Sequence, residues 1–209
     1  MKPKNNLFQP CLGVVLAGGK SSRMGQDKAS LIRDSENMLS YSQTLLKDAG
    51  STQVVISGGE HGIEDVIENI GPLGGIASII SQFKPQALLI LPVDLPLMTA
   101  LELMKLKQLG ELSQRACYFN DNYLPLYLPV NAYVEQFFQQ PLAPRSRQSD
   151  RHKSTRKHQL AGPSVRSLLS QVPHRAITPQ NNQCLFNANT PEQWQQAKHF
   201  LSLQRKPYV

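Results

Sequence analysis

The amino-acid sequence predicts an α/β protein with an open, mostly parallel sheet and helices on both faces. Three observations predict it. Short aliphatic runs, "CLGVVLA" (11–17), "TQVVIS" (52–57) and "ALLILPV" (87–93), are bounded by Gly, Pro or polar residues, as strands buried on both faces are. Segments of helical spacing lie between them. The alternation of strand and helix continues along 209 residues without an internal repeat, a length that suits one domain over 1–209 with an inserted loop at about 141–163.

Taken in order, "CLGVVLA" is the first strand. "MLSYSQTLLKDAG" (38–50) carries apolar residues at helical spacing, with Gly50 placed to end the helix. "TQVVIS", the helix candidate "GGIASIISQF" (74–83), the strand "ALLILPV" and the helix candidate "LELMKLKQL" (101–109) come next. "ACYFNDNYLPLYLPV" (116–130) reads as two strands around a turn at Asn120-Asp121-Asn122. "VRSLLSQV" (165–172) is a short helix, and "CLFNANTPEQWQQAKHFLSL" (184–203) reads as a strand and then a helix. Thr190 is the N-cap of that helix, Pro191 its first residue, and Gln193 completes a capping box.

Composition excludes several classes of function. The opening "MKPKNNLFQPCLG" has no apolar h-region, so a secretory signal is not expected, and no apolar run approaches the roughly 20 residues of a membrane helix. Cys11, Cys117 and Cys184 are far apart and form no C-x-x-C pair, which suits reduced cytoplasmic thiols packed as small apolar residues. The net charge of +7 suggests nucleic acid until it is located. Seven Lys or Arg and one Asp fall within 141–166, leaving 15 basic and 14 acidic residues elsewhere. That segment has no Phe, Tyr or Trp on which bases could stack, so it reads as a polar mobile loop, either simply solvated or serving to attract phosphate, and a nucleic-acid partner is not expected.

The first strand leads into "LAGGKSSRMGQDKASL" (16–31), which must be told apart from two look-alikes. A P-loop would need glycine at position 14, where Val14 stands inside the strand. The dinucleotide pattern fails because the third residue beyond Gly18 is Ser21. What remains is a glycine pair, Gly18-Gly19, whose backbone can approach a phosphate closely, with Arg23 and Lys28 beyond it as cations for that phosphate.

The string L-A-G-G-x-S-x-R-M-G-x-D-K resembles the signature of the molybdenum cofactor guanylyltransferases. "GPLGGI" (71–76) resembles that family's glycine-rich loop over the nucleotide, and "LPVDLPLM" (91–98) its aspartate-bearing strand end. "FNANTPE" (186–192) looks like its C-terminal Asn-x-Asn-Thr-Pro-Glu, and "SVRSLL" (164–169) is a looser match. The resemblance implies a Rossmann-like nucleotidyltransferase fold and Mg²⁺-dependent transfer of GMP from GTP to the terminal phosphate of molybdopterin, with release of pyrophosphate. It also implies a cytoplasmic enzyme in transient contact with proteins that build or receive the cofactor. Leu16, Ala17, Gly18, Gly19, Lys28, Ser57, Asn69, Gly74 and Asp94 are thereby expected at the nucleotide, with Arg23, Lys28 and Asp94 catalytic. Two positions depart from the family pattern: Ser57 stands where Asn is common, and Asn69 where an acidic residue usually precedes the glycine loop.

The chemistry agrees with these residues. An acceptor phosphate is already an anion, so positioning and charge neutralisation suffice and no protein nucleophile is needed. No Ser-His-Asp or Cys-His arrangement stands out; His61, His152, His158, His174 and His199 are scattered and read as surface residues. Asp94 ends a buried strand, where ligands of open α/β sheets gather, and its hard carboxylate suits Mg²⁺. The bland reading of Asp94 is a cap for the next helix. Asn187 and Asn189, two apart, would share a face of an extended segment, where one could support the metal or a phosphate; a turn role for both is the alternative. A related transferase with another nucleotide or acceptor, and a nucleotide-binding protein of this fold without activity, are the alternatives.

Overall fold

The structure is a computed structural model that describes residues 10–18, 24, 27–59, 62–64, 70–120, 122–141 and 163–204. Its strands are β1 (Cys11–Leu16), β2 (Ile32–Arg33), β3 (Glu36–Asn37), β4 (Gln53–Ser57), β5 (Ala87–Pro92), β6 (Ala116–Phe119), β7 (Asn122–Pro129) and β8 (His174–Ile177). Its α-helices are α1 (Met38–Asp48), α2 (Pro72–Phe83), α3 (Ala100–Ser113), α4 (Ala132–Gln139), α5 (Val165–Leu169) and α6 (Pro191–Gln204). Two 3-10 turns occupy Lys28–Ser30 and Asn182–Leu185.

Six strands form one sheet in the order β4-β1-β5-β7-β6-β8, and β2 pairs with β3 in a separate ribbon. The β4–β1, β1–β5 and β6–β8 pairs are parallel, whereas β7 runs antiparallel to both neighbours. The sheet is therefore mostly parallel with one reversed strand beside its centre. That reversal brings the start of β7 to the edge where β1, β4 and β5 end.

Strand alternation divides the core into two layers. Cys11 and Val15 of β1, Leu89 and Leu91 of β5 and Tyr127 of β7 pack with Tyr41 and Leu45 of α1, Leu103 and Leu106 of α3 and Trp194 of α6. The intervening Leu12, Val14, Leu88, Ile90, Leu126 and Leu128 pack on the other face with α2, α4 and α5. β1 and β5 are apolar at nearly every position because both of their faces are covered. Gly110 lets α3 lie directly on β7: a Cβ there would stand 2.0 Å from the Tyr127 ring.

The helix ends agree with the sequence. Gly50, at φ 83°, turns the chain out of α1 and its N–H donates to Lys47 O. Thr190 Oγ1 accepts from Gln193 N at 3.3 Å while Gln193 Oε1 accepts from Thr190 N at 3.1 Å, the reciprocal box expected for α6. The strand expected within 184–189 is corrected to the 3-10 turn Asn182–Leu185 and an extended passage. The side chain of Asn181 accepts from Gln183 N at 2.9 Å and caps that turn, an alternative to sheet pairing that asparagine offers readily. Sheet pairing is instead provided by β8.

Candidate active site

Three loops meet above the C-terminal edge of the sheet. The first leaves β1: the N–H groups of Ala17 and Gly18 donate to Ser57 O at 2.9 and 3.2 Å, tying the end of β1 to that of β4. Ser57 is buried and takes part through its carbonyl. Gly58, at φ 73°, lets the two segments touch, since a Cβ on it would lie 2.6 Å from Gly18 Cα. The Gly18 amide, expected to face phosphate, is thus spent within the protein. The same loop continues to Asp27, whose side chain accepts from Ala29 N at 3.1 Å and starts the turn that carries Lys28.

The second loop leaves β5 and holds Asp94. Thr99, rather than Asp94, caps α3, which removes the bland role for this carboxylate. The β2–β3 ribbon joins the two loops: Arg33 Nε donates to Pro96 O at 2.8 Å while its guanidinium lies 3.9 Å from the centre of the Tyr41 ring. The third loop precedes α6. Ala188 N donates to Asp94 O at 3.0 Å, and Asn189 N to Gln193 Oε1 at 2.8 Å.

These supports bring Lys28, Asp94 and Asn189 together. Lys28 Nζ lies 3.0 Å from Asp94 Oδ2 and also donates to Asn189 Oδ1. The side chains of Lys28 and Asp94 are 18% and 17% exposed, so the pair is half-sheltered but open to a ligand. Asp94 Oδ1 is buried and has no hydrogen-bond partner among the described residues. A cleft of about 300 Å³ opens beside it, lined by Leu16, Ala17, Gly18, Lys28, Asp94 and Asn187, with Pro72, Asn122, Leu124 and Leu185 as further walls. Asn187 lines this cleft, and Asn189 reaches Lys28 beside it.

Gly74 lies buried in α2 with its carbonyl accepting from Ser78 Oγ at 3.0 Å, and Pro72 rather than Gly74 reaches the cleft. Gly19, Arg23 and Asn69 lie outside the described residues, as do all of the basic residues from Arg145 to Lys157. Asn122 and Leu124 at the start of β7, and Leu185 in the last turn before Asn187, are cleft residues that sequence reasoning missed. The turn at 120–122 was the available signal, but only the reversed direction of β7 makes it part of this edge.

The other reactive groups are out of play. All three cysteines are buried and unpaired. Burial pushes the Cys11 and Cys184 thiols up to about 12, and raises Cys117 as well, so they stay neutral at neutral pH. His174 and His199 are exposed, in keeping with their surface reading. Among the described residues no group of three or more His, Cys, Asp or Glu could hold a metal, and no helix is long and apolar enough to cross a membrane. Asp94 is the one carboxylate among the cleft residues.

A strand-end carboxylate, a lysine and an amide around a cleft at the carboxyl edge of a mostly parallel sheet are the equipment of an α/β protein that handles phosphates. A family profile, the MobA-like NTP transferase domain, matches residues 13–158, and the chain belongs to that family of nucleotidyltransferases. The molybdenum cofactor guanylyltransferase of Xanthomonas euvesicatoria pv. vesicatoria is 38% identical over 197 residues, covering 92% of this chain and 97% of that relative. Among solved structures, molybdopterin-guanine dinucleotide biosynthesis protein A from Archaeoglobus fulgidus superposes with a TM-score of 0.64 at 16% identity, covering 92% of this chain and 99% of that one. Rv0371C of Mycobacterium tuberculosis H37Rv in complex with manganese superposes at 0.57 with 14% identity, covering 92% and 99%. At such identities the two structures establish the fold.

Proposed function

We propose that this protein transfers GMP from GTP to the terminal phosphate of molybdopterin, forming the guanine dinucleotide cofactor and releasing pyrophosphate. The convergence of Lys28, Asp94 and Asn189 on one cleft carries the reading of phosphate chemistry. The named relative, matched over nearly all of both chains, supports guanine and molybdopterin as the two specific substrates.

An oxygen of the acceptor phosphate attacks the α-phosphorus of GTP, and the bond from that phosphorus to the bridging oxygen of the β-phosphate breaks, leaving with its electron pair as pyrophosphate. The chain's residues supply placement and charge. Lys28 neutralises the β- and γ-phosphates, and the tie between Ala17, Gly18 and Ser57 fixes the floor on which they rest. Leu16 and the wall of Asn122 and Leu124 narrow the cleft and limit water around the reacting phosphates.

The residues fit Mg²⁺. Asp94 offers a buried oxygen without a partner among the described residues, and Asn187 or Asn189 an amide oxygen beside it. Mg²⁺ is commonly held by one carboxylate together with substrate phosphates and water, and when bound it offsets phosphate charge as a Lewis acid. Before GTP arrives, Lys28 supplies the positive charge at Asp94. A triphosphate is the stronger partner for that ammonium, so nucleotide binding uncovers the carboxylate.

Three further assignments belong to this reading. Asn69, expected at the nucleotide from its place in the sequence, would offer guanine one acceptor where an aspartate offers two, which would lower discrimination by about 1–3 kcal/mol. The basic residues between Arg145 and Lys157 attract the anionic acceptor. Residues 1–209 act as a single cytoplasmic domain that meets its cofactor-handling partners transiently.

The purified protein, supplied with Mg²⁺, molybdopterin and each nucleoside triphosphate in turn, is expected to release pyrophosphate in step with nucleotide incorporation, with the highest kcat/KM for GTP. A higher value for CTP or ATP would remove the guanine assignment and leave the reaction type. Nucleotide binding without pyrophosphate release would overturn the transferase reading.

A further inference from the structure

The loop that supplies Leu185, Asn187 and Asn189 is gripped from below by a residue of α3. Glu102 stands in the first turn of that helix and is 3% exposed. Its Oε1 accepts from Gln180 N at 2.6 Å and from Asn181 N at 3.0 Å, and its Oε2 has no hydrogen-bond partner among the described residues. Enclosing a carboxylate costs several kcal/mol, which charge-assisted bonds to two amides and the positive end of α3 offset. Covering the loop would need only an apolar side chain. A carboxylate oxygen instead fixes two successive amides at one point.

Those two amides set the course of the chain beyond them. Asn181 caps the turn Asn182–Leu185 through its side chain, and its carbonyl accepts from Cys184 N at 3.1 Å. Phe186 N donates to Gln183 O at 3.0 Å, and two residues later Ala188 N reaches Asp94 O. Leu185 and Asn187 hang between these two fixed points and line the cleft. Lys105, one turn further along α3, also holds this loop through Thr178 O at 2.8 Å, but from an exposed position.

We infer that Glu102 is a positioning residue for the transfer reaction: by fixing the amides of Gln180 and Asn181 it sets where Leu185, Asn187 and Asn189 stand against Lys28 and Asp94. The inference rests on the cleft being the transfer site. It assigns Glu102 no contact with substrate; its effect is on alignment.

Three variants of the full chain test it. With Glu102→Ala, kcat is expected to fall about tenfold to a hundredfold while KM for GTP and for molybdopterin each move less than about threefold, the pattern of misaligned reactants rather than lost binding. Amide hydrogen exchange over 180–189 should accelerate while the β1 and β5 amides stay protected. Glu102→Gln keeps an oxygen of the same reach and should restore kcat to within about threefold of the parent. Glu102→Asp keeps the charge, is one methylene too short, and should behave as the alanine variant. Parent-like kcat in folded Glu102→Ala, or a glutamine variant no better than the alanine one, would overturn the inference. If the alanine variant does not fold, the aspartate and glutamine pair decides: equal kcat in both overturns it. A parent inactive with GTP and molybdopterin would sink the proposed function alone, since the exchange rates over 180–189 still decide whether Glu102 fixes this loop.

Discussion

Among its described residues the protein holds two lysine–carboxylate pairs at opposite ends of its sheet, and they are built differently. Lys28 and Asp94 are 66 residues apart and come from loops that leave two different strands. Lys107 and Glu111 are one turn apart on α3, with Nζ 2.9 Å from Oε1 as an ion contact without hydrogen-bond alignment. The upper pair leaves Asp94 Oδ1 without a partner next to a cleft. The lower pair is closed in, with Glu111 only 3% exposed at its side chain and placed near Tyr127 and Cys11, whose pKa values it raises further beyond the effect of burial. A pair drawn from distant loops holds its geometry only because the fold pins each loop separately, here through Ser57, Pro96 and Ala188. A pair within one helix turn comes with the helix. The first arrangement suits exchange of partners with a ligand; the second suits filling a polar gap in the core.

The largest expected separation between them is in catalysis. Asp94→Asn keeps the shape of the side chain and removes its charge. Turnover should fall about 10²–10³-fold, as expected when one preorganised electrostatic contact to a transferring phosphoryl group is removed. The thermal transition should stay cooperative and close to that of the parent. Pyrophosphate release and a melt on the same preparation check both, and wild-type turnover across a Mg²⁺ titration would place Asp94 among the structural carboxylates.

Lys107→Met should do the reverse. It leaves Glu111 as an enclosed carboxylate without its ammonium, a change worth about 3 kcal/mol of stability. Because this pair sits near Cys11 and Gly50, at the edge of the sheet opposite the cleft, kcat of the folded protein should remain that of the parent. Urea unfolding and steady-state kinetics read the two quantities independently. A fall in kcat without a fall in stability would erase the distinction drawn between the two ends.

The sequence made the upper end more legible than the lower one, for a physical reason. Lys28, Asp94 and Asn189 each sit just beyond a recognisable strand or before a recognisable cap, so their convergence came from the rule that loops after parallel strands share one edge. Asn122 and Leu124 escaped because β7 is reversed, and strand direction within a sheet is not written in the apolar pattern of one strand. β8 escaped because "HRAI" buries only Ile177 of its four residues, so it shows no alternation to detect. α4 escaped because it is only eight residues long and follows β7 almost directly, although Asn131 caps it as such residues do, accepting from Tyr133 N and Val134 N. Glu102 and Glu111 look in sequence like ordinary solvent-facing positions of α3. Glu102 is covered by amides 78 and 79 residues later, and Glu111 lies near Cys11 at the start of β1, information that no local window contains.

The smallest expected effect concerns the metal alone and sharpens the view of Lys28 as an exchangeable partner. In the free protein its ammonium stands 3.0 Å from Asp94 Oδ2, where a divalent cation would compete with it. Like charges disfavour one another at that range, so removing the lysine should help a cation bind when no nucleotide is present. Lys28→Ala should therefore raise the affinity for Mn²⁺, monitored by its electron paramagnetic resonance signal, about threefold to tenfold, because the pair is partly open to screening water. The same substitution should weaken GTP, read as the loss of its shift in melting temperature, because the triphosphate loses a cation. Opposite signs for the two ligands distinguish this arrangement from simple damage to the site, which would weaken both. If Mn²⁺ binds Lys28→Ala no better than the parent, Lys28 does not cover the carboxylate, and the upper pair differs from the lower one only in exposure.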